Sequence, residues 1–181
     1  MKRLVNEFRD YARLPAAMLQ SLDLNALIHD VLHLYGAENA VVPIEADLDG
    51  AAPHILGDAQ QLRQVIHNLL QNAQDATEQA WGGKDEAPPA VRISTRYASN
   101  NKRVRLTIAD FGCGFPEHIL QKAFEPYVTT KPRGTGLGLA VVKKIADEHG
   151  ARIEISNKTE GGKILGAQVS LSFAIEEAMA I

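Results

Sequence analysis

The stretch DAQQLRQVIHNLLQNAQDATEQAW, residues 58–81, decides the fold. Its apolar residues recur every three or four positions, which predicts a long helix with one buried face. They are Leu62, Val65, Ile66, Leu69, Leu70, Ala73 and Ala76. Asp58 is a suitable N-cap, and Gly82-Gly83 ends the helix. No other segment of the chain carries so strong a periodic signal.

Shorter elements flank this helix. Before it, the sequence predicts a helix over 2–14 that Pro15 stops, a helix from an Asp23 cap to Gly36, and a strand over 41–47. After it come a hairpin of 91–97 and 103–109, a short helix at 117–123, a helix over 137–149, and strands over 152–156 and 168–173. This order predicts an α/β fold, a two-layer sandwich with helices on one face of a sheet. Residues 1–20 have no evident place in its core.

The composition is that of an ordinary globular chain. Of its 181 residues, 45% are apolar and 23% are charged, which allows one compact domain plus a short appendage. The net charge of −3 gives no electrostatic basis for binding nucleic acid or an anionic membrane. The one cysteine, Cys113, excludes an internal disulfide, disfavours a thiolate metal cluster and indicates a reducing cytosol. No apolar run approaches the ~20 residues that span a bilayer.

The long helix carries amides beside its apolar stripe. Asn68, Asn72 and Asp75 are spaced i, i+4 and i+7, so they share one face. An amide oxygen can bind Mg²⁺, and a neutral ligand suffices when a triphosphate brings the negative charge. The alternative is the solvated polar face of an amphipathic helix.

A glycine turn directly follows the second hairpin strand. In Asp110-Phe111-Gly112-Cys113-Gly114, the two glycines let a ligand approach the backbone closely. The carboxylate can accept a hydrogen bond from the exocyclic amine of adenine, and it would face the carbonyl oxygen of guanine with no proton between them. The alternative is a strand-to-loop turn capped by the aspartate. The strand lysine and the HRD loop of protein kinases are absent from the sequence.

A second glycine motif, Gly134-Thr135-Gly136-Leu137-Gly138, opens the next predicted helix. Free N–H groups and the positive end of the helix dipole make this a suitable phosphate cradle. No Gly-Lys-Ser/Thr follows, so it is not a Walker A loop, and its position after a loop argues against a Rossmann fingerprint. An ordinary helix start is the alternative.

The segment between the glycine motifs has the composition of a mobile lid. An aromatic-proline anchor at 124–127 precedes a polar, basic stretch at 129–131. Lys131, with Arg133 as a second candidate, can supply a cation to the terminal phosphates, although a solvated loop is the alternative. Taken in order, the four segments supply metal, base, cation and phosphate contacts. That order is hard to explain as four unrelated structural details.

The ordered set resembles the gyrase, heat-shock-chaperone, histidine-kinase and MutL (GHKL) ATPase superfamily. Residues 67–73 resemble its N box, 110–114 its first glycine box, 124–131 the F box, 134–138 the second glycine box, and 161–166 the last glycine-containing segment. The F box is specific to histidine kinases. Residues 5–15 and 22–25 further resemble the end of the second dimerisation helix and its linker in nitrogen-regulation sensor kinases of the NtrY type.

The resemblance implies a Bergerat fold, a mixed and mostly antiparallel sheet backed by helices, that binds ATP and Mg²⁺. It implies Asn72 as the Mg²⁺ ligand, Asn68 near the phosphates and Asp110 on adenine, in a pocket shaped by Gly112 and Gly114. The implied phosphate and lid contacts are Thr130, Lys131, Gly134, Thr135, Gly136, Leu137 and Gly138. The implied catalytic residues are Asn68, Asn72 and Lys131.

One position distinguishes branches of this superfamily. Gyrase-like and MutL-like ATPases carry a glutamate four residues before the metal asparagine, where it activates water. This chain has Asn68 there, which cannot act as a general base. We therefore expect slow hydrolysis and transfer of the γ-phosphate to another protein, a reaction that depends mainly on positioning and charge stabilisation.

The chain departs from the family at the phosphoacceptor. None of its six histidines is followed by the acidic residue and Asn-Pro that mark the acceptor in these kinases, and His67 lies inside the N box. We expect residues 1–20 to be a remnant of the second dimerisation helix and linker, and residues 21–181 to be the catalytic domain. By itself this fragment is expected to be inactive in autophosphorylation.

The expected partners are the dimerisation (histidine phosphotransfer) segment of the parent kinase and a response regulator, with no nucleic acid and no membrane contact by this fragment. The expected location is the cytoplasm, and an anchor of the parent in the inner membrane stays open. Two alternatives compete. A serine kinase of the anti-sigma type shares the nucleotide boxes, but the F box and the front helix disfavour it. The other alternative is a non-catalytic nucleotide-sensing or scaffolding module.

Overall fold

The computed structural model describes residues 15–35, 42–120, 122, 124 and 138–176. Four helices lie in these ranges: α1 (Leu24–Tyr35), α2 (Ala59–Trp81), α3 (Glu117–Leu120) and α4 (Gly138–Glu148). Seven strands accompany them: β1 (Gln20–Leu22), β2 (Ile44–Asp47), β3 (Ile55–Gly57), β4 (Val91–Ala98), β5 (Arg103–Ala109), β6 (Arg152–Glu160) and β7 (Lys163–Ala174). Within the described ranges, no helix combines the length and the apolar content needed to span a bilayer. The helix predicted over 2–14 lies outside them.

Five strands form one mixed sheet in the order β2-β4-β5-β7-β6. β2 runs parallel to β4, and the other neighbouring pairs are antiparallel. α2 packs on β4, β5 and β7, and α4 packs against α2 and β6. The predicted two-layer α/β sandwich, with a mostly antiparallel sheet and helices on one face, is therefore confirmed.

The buried face of α2 forms the centre of the core. Its predicted apolar residues from Leu62 to Ala73 are at most 4% exposed. They belong to one cluster with sheet residues such as Ile93, Leu106 and Leu171, which are at most 1% exposed. Burying a side chain of this size contributes ~1.5–3 kcal/mol. The interface between α2 and the sheet is therefore a large part of the apolar stabilisation.

Both predicted N-caps are confirmed. Asp58 Oδ1 accepts hydrogen bonds from the backbone N–H groups of Gln60 (3.1 Å) and Gln61 (3.2 Å) at the start of α2. Asp23 Oδ1 accepts one from the N–H of Ala26 (3.1 Å) at the start of α1. Each cap satisfies N–H groups that a helix leaves without internal partners, and typically contributes ~1 kcal/mol.

The last hairpin is longer than the sequence predicts. β6 extends to Glu160 and β7 begins at Lys163. The turn between them lies at Gly161-Gly162 as predicted, and both glycines have positive φ (59° and 78°), which favours glycine. The added strand ends are mostly exposed, so they lack the alternation of apolar and polar residues that marks a half-buried strand.

A second, two-stranded sheet joins distant parts of the chain at one corner. β1 and β3 pair antiparallel, and with three residues each they are too short for a periodic signal. Ser21 Oγ donates a hydrogen bond to Glu176 Oε2 (2.9 Å), and Ile55 forms an isolated bridge with Ile175. The segment before α1 therefore meets the end of β7 here. The predicted domain boundary after residue 20 falls within β1 and stays a prediction.

His149 connects the end of α4 to the start of α2. Its side chain is 7% exposed. Its Nε2 accepts a hydrogen bond from the backbone N–H of Asp58 (3.0 Å), so the ring proton is on Nδ1, which donates to the carbonyl oxygen of Ile145 (2.8 Å). The ring also lies edge-on to Phe173, with centroids 6.4 Å apart. His149 is therefore a structural histidine with both nitrogens engaged.

Replacing His149 with alanine removes both hydrogen bonds and leaves a cavity beside Phe173. We expect His149→Ala to lower the free energy of unfolding by ~2–4 kcal/mol, measured by urea denaturation. His29→Ala, at an exposed position of α1, is the matched control and should change stability by less than ~0.5 kcal/mol. An effect of His149→Ala no larger than that of the control would contradict the structural role.

Candidate functional site

The amide-bearing face of α2 forms one side of the site. Asn68, Asn72 and Ala76 occupy successive turns, so their side chains form one row along the helix. Both asparagines are half-buried. Asp75, which the sequence groups with them, accepts a hydrogen bond from Gln71 Nε2 (3.0 Å).

The turn that follows β5 packs on the same row of α2. A side-chain carbon at Gly112 would lie 2.8 Å from both the Cβ and the carbonyl oxygen of Ala76, so only glycine fits there. Ala76 is one helical turn, about 6 Å along the axis, beyond Asn72. The Asp110 turn and the two asparagines therefore adjoin the same row of α2.

The last turns of α2 also fix the backbone of this loop. The N–H of Phe111 donates to Thr77 Oγ1 (3.1 Å), and the carbonyl oxygen of Phe111 accepts from the indole N–H of Trp81 (3.0 Å). Thr77 is fully buried, and a buried hydroxyl needs such a partner. Two hydrogen bonds and one glycine contact thus hold the loop against α2.

The carboxylate of Asp110 is 8% exposed and is held by backbone groups. Its Oδ1 accepts hydrogen bonds from the N–H of Gly112 (2.9 Å) and from the N–H of Ala167 on β7 (3.0 Å). Within the described part of the chain, both hydrogen bonds to this carboxylate therefore end on one oxygen. Oδ2 is the acceptor that this arrangement leaves for a ligand.

Burial raises the pKa of Asp110, because the charged carboxylate loses solvation. The hydrogen bonds from Ala167 and Gly112 and the positive charge of Lys158 act in the opposite direction, but burial is the larger effect. Since the folded pKa is raised, ionised Asp110 destabilises the fold at neutral pH, and this cost disappears as the pH falls through the raised pKa towards the ordinary value. A carboxylate kept at such a cost indicates ligand binding better than stabilisation.

Two further glycines allow the close packing around Asp110. A side-chain carbon at Gly166 would collide with the carbonyl oxygen of Asp110, and one at Gly114 (φ 78°) would collide with Asn157. Asn157 holds the loop from the side of β6. Its Oδ1 accepts from the N–H of Phe115 (2.7 Å), and its Nδ2 donates to the Phe115 carbonyl oxygen (2.8 Å). The loop is therefore fixed between α2 and the β6–β7 hairpin.

Part of the predicted site lies outside the described residues. These residues are Thr130, Lys131, Gly134, Thr135, Gly136 and Leu137. Gly138 is the first residue of α4, which packs against α2. The phosphate and lid contacts therefore stay predictions.

Four side chains that hold the loop or adjoin it give no signal in the sequence: Thr77, Trp81, Asn157 and Lys158. Thr77 and Trp81 lie near the C-terminal end of α2, beyond the asparagines. A threonine and a tryptophan at such positions do not by themselves indicate a site. Asn157 lies on β6, 42 positions after Phe115. Only the pairing of β6 with β7 brings it and Lys158 to the loop, and that pairing is a property of the topology.

The donor set suits a nucleotide. Among the described residues, no three or more His, Cys, Asp or Glu side chains are grouped to hold a metal ion. The amide oxygens of Asn68 and Asn72 are ligands of the kind that Mg²⁺ accepts when phosphates complete its shell. Asp110 offers an acceptor to an amino group. The residues present therefore fit an adenine nucleotide that carries Mg²⁺.

Comparison with known protein families agrees with this arrangement. Residues 57–175 match the family described as histidine kinase-, DNA gyrase B-, and HSP90-like ATPase. The match covers more than half of the chain and includes α2, the Asp110 turn and β7. The chain belongs to this family.

Sequence relatives include proteins described as sensor histidine kinases. The chain is 34% identical over 173 residues to a protein described as a putative NtrY-like sensor histidine kinase of Rickettsia bellii. The aligned region covers 94% of this chain and 27% of the relative. It is also 34% identical over 178 residues to the nitrogen regulation protein NtrY of Azorhizobium caulinodans. That aligned region covers 96% of this chain and 22% of the relative. The chain thus spans about a quarter of the length of these relatives.

Solved structures agree on the fold. Full-length ShkA in complex with AMPPNP has a TM-score of 0.76 and 28% identity, over 96% of this chain and 36% of that one. The nucleotide-free catalytic domain of histidine kinase ThkA has a TM-score of 0.70 and 27% identity, over 87% of this chain and 95% of that one. The predicted resemblance to catalytic domains of NtrY-type histidine kinases is confirmed.

Gly166→Ala tests the close packing at Asp110. The added methyl group would meet a backbone carbonyl, which cannot move aside as a side chain can, so we expect a loss of ~2–4 kcal/mol in unfolding free energy. Urea denaturation followed by circular dichroism measures this loss. Gly50→Ala is the matched control, because nothing lies within 4 Å of its Cβ position, and it should change stability by less than ~1 kcal/mol. Equal stability of the two variants would contradict the packing.

Proposed function

We propose that this chain is the ATP-binding catalytic domain of a two-component sensor histidine kinase. It transfers the γ-phosphoryl group of ATP to a histidine on the dimerisation segment of the parent kinase, and a response regulator then receives that group. Residues 21–181 form the catalytic domain, and residues 1–20 are a remnant of the second dimerisation helix and its linker. The reaction takes place in the cytoplasm.

The buried carboxylate of Asp110 is the observation that carries this proposal. One oxygen is committed to two backbone N–H groups, and the turn packs one helical turn beyond Asn72. A buried charge is expected to be fully paired when its role is structural. The exocyclic amine of adenine supplies the partner for the second oxygen. Guanine presents a carbonyl oxygen at that position, so the same carboxylate selects against GTP.

The remaining contacts follow from the chemistry of the nucleotide. Mg²⁺, when bound, neutralises phosphate charge, and Asn72 is its protein ligand. Asn68 contacts the phosphates from the preceding turn of α2. Thr130 and Lys131 act from the lid, and residues 134–138 supply backbone N–H groups to the phosphates.

Transfer to another protein is favoured over hydrolysis by the residue at position 68. An asparagine side chain does not accept a proton near neutral pH, so Asn68 cannot activate water for attack on the γ-phosphate. The domain instead holds the γ-phosphate in line for a nucleophile from another segment. The ATP therefore persists until an acceptor histidine arrives.

Nucleotide titration of the wild type and of Asp110→Asn tests the site. With Mg²⁺ present, we expect ATP and ADP to bind and GTP to bind at least about tenfold more weakly. Asp110→Asn should weaken ATP binding by ~1–3 kcal/mol, because the amide N–H₂ then faces the amine of adenine, donor against donor. Isothermal titration calorimetry measures these affinities.

The stability of Asp110→Asn separates recognition from folding. Asparagine keeps an oxygen that can accept both backbone hydrogen bonds and removes a buried charge, so the ligand-free variant should unfold at the same temperature as the wild type or higher. Asp30→Asn, at an exposed position of α1, is the matched control and should change neither property. Equal binding of ATP and GTP by the wild type, or full ATP binding by Asp110→Asn, would contradict the site.

Incubation with ATP and Mg²⁺ tests the transfer. Alone, the chain should form no acid-labile phosphohistidine, whereas a purified dimerisation segment of the parent, bearing its histidine, should become labelled. Asn72→Ala should slow the labelling by at least about tenfold, since it removes a ligand of the metal that positions the phosphates. Asn101→Ala, in the exposed turn between β4 and β5, is the control. Nucleotide binding without phosphohistidine under any condition would favour a sensing or scaffolding module.

A further inference from the structure

Lys158 lies on β6 directly opposite Gly166 of β7, the residue whose backbone abuts Asp110. Residues opposite one another on paired strands point to the same face of the sheet. Gly166 has no side chain, and the carbonyl group of Asp110 occupies the position that its Cβ would take. The pairing of β6 with β7 shifts register immediately after Lys158, and such irregularities change the direction of a side chain.

The ammonium group of Lys158 rests on the loop itself. Its Nζ lies 3.8 Å from the centroid of the Phe111 ring, within the range of a cation–π contact. Phe111 is the residue whose backbone Thr77 and Trp81 bind from the other side. The loop is therefore held by neutral hydrogen bonds from α2 and by a cation from β6.

Lys158 and Asp110 also act on each other through charge. Burial lowers the pKa of Lys158, and the neighbouring Asp110 raises it again in part. Burial raises the pKa of Asp110, and Lys158 is among the groups that lower it. Each charge thus offsets part of the desolvation cost of the other.

In the described part of the chain, the other elements around Asp110 bring no such charge. α2 contributes Ala76, Thr77 and Trp81, and β7 contributes its backbone at 166–167. The Nζ of Lys84 lies 4.6 Å from the centroid of the Trp81 ring. Among the described residues, Lys158 is the one charged side chain that acts on Asp110.

We infer that Lys158 is a positioning residue of the nucleotide site, placing a positive charge beside Asp110 that favours the carboxylate form needed by the amine of adenine. This inference rests on the proposed function. Lys158 does not contact the reacting phosphates; it acts through Asp110 and through the ring of Phe111. Its role is to extend adenine recognition to lower pH.

The direction of the pH effect follows from the charges. The carboxylate form of Asp110 binds the amine of adenine, so affinity falls as the pH drops through the pKa of Asp110. Removing the positive charge of Lys158 raises that pKa further, and affinity is then lost at a higher pH. A substitution that only disturbed packing would weaken binding equally at every pH.

The test measures the dissociation constant of ADP with Mg²⁺ from pH 5 to pH 8 by calorimetry. Lys158→Met keeps an unbranched side chain of similar length and removes the charge. Its affinity relative to the wild type should be best preserved at pH 8 and should fall progressively as the pH is lowered towards 5. Lys158→Arg keeps the charge and should follow the wild-type profile. Lys163→Met, at an exposed position of the same hairpin, is the matched control and corrects for the titration of the nucleotide.

Each outcome decides the inference. A Lys158→Met profile that superposes on that of Lys163→Met, or one that is lowered uniformly across the pH range, overturns it. If Lys158→Met does not fold, Lys158→Gln is measured in its place against the same criteria. Absence of ADP binding by the wild type would instead reject the proposed function, so the two failures are distinguishable.

Discussion

The carboxylate of Asp110 is buried between α2 and β7, and the packing of both elements accommodates it. Gly112 must lack a side chain because α2 passes at Ala76, and Gly166 must lack one because the carbonyl of Asp110 occupies that space. Backbone N–H groups from the loop and from β7 then converge on one oxygen. Both layers of the sandwich therefore meet at this residue.

Two buried polar side chains show how a structural group differs from a ligand-binding one. His149 uses both ring nitrogens within the fold, one towards Asp58 and one towards Ile145, so it stabilises without needing anything further. Asp110 uses one oxygen and bears a desolvation cost at neutral pH. The first pattern indicates packing and the second indicates a site.

The sequence was informative where a signal is local and failed where it depends on topology. α2 and its cap were predictable, because Leu62 to Ala73 repeat with the helical period and Asp58 precedes them. The turn at Asp110 was predictable from its glycines. β1 and β3 were not, since three residues carry no period, and neither Asn157 nor Lys158 was assigned to the site. Those two reach the loop only through strand pairing across 42 or more positions of the chain.

The corner formed by β1 and β3 has a mechanical consequence. The chain passes through it both before α1, at Ser21, and after β7, at Glu176. The loop at Asp110 adjoins the opposite end of β7, at Gly166, about 30 Å away at the rise of an extended strand. β7 pairs with β5 on one side and with β6 on the other, so the corner and the adenine-recognition loop are joined through one continuous strand of the sheet.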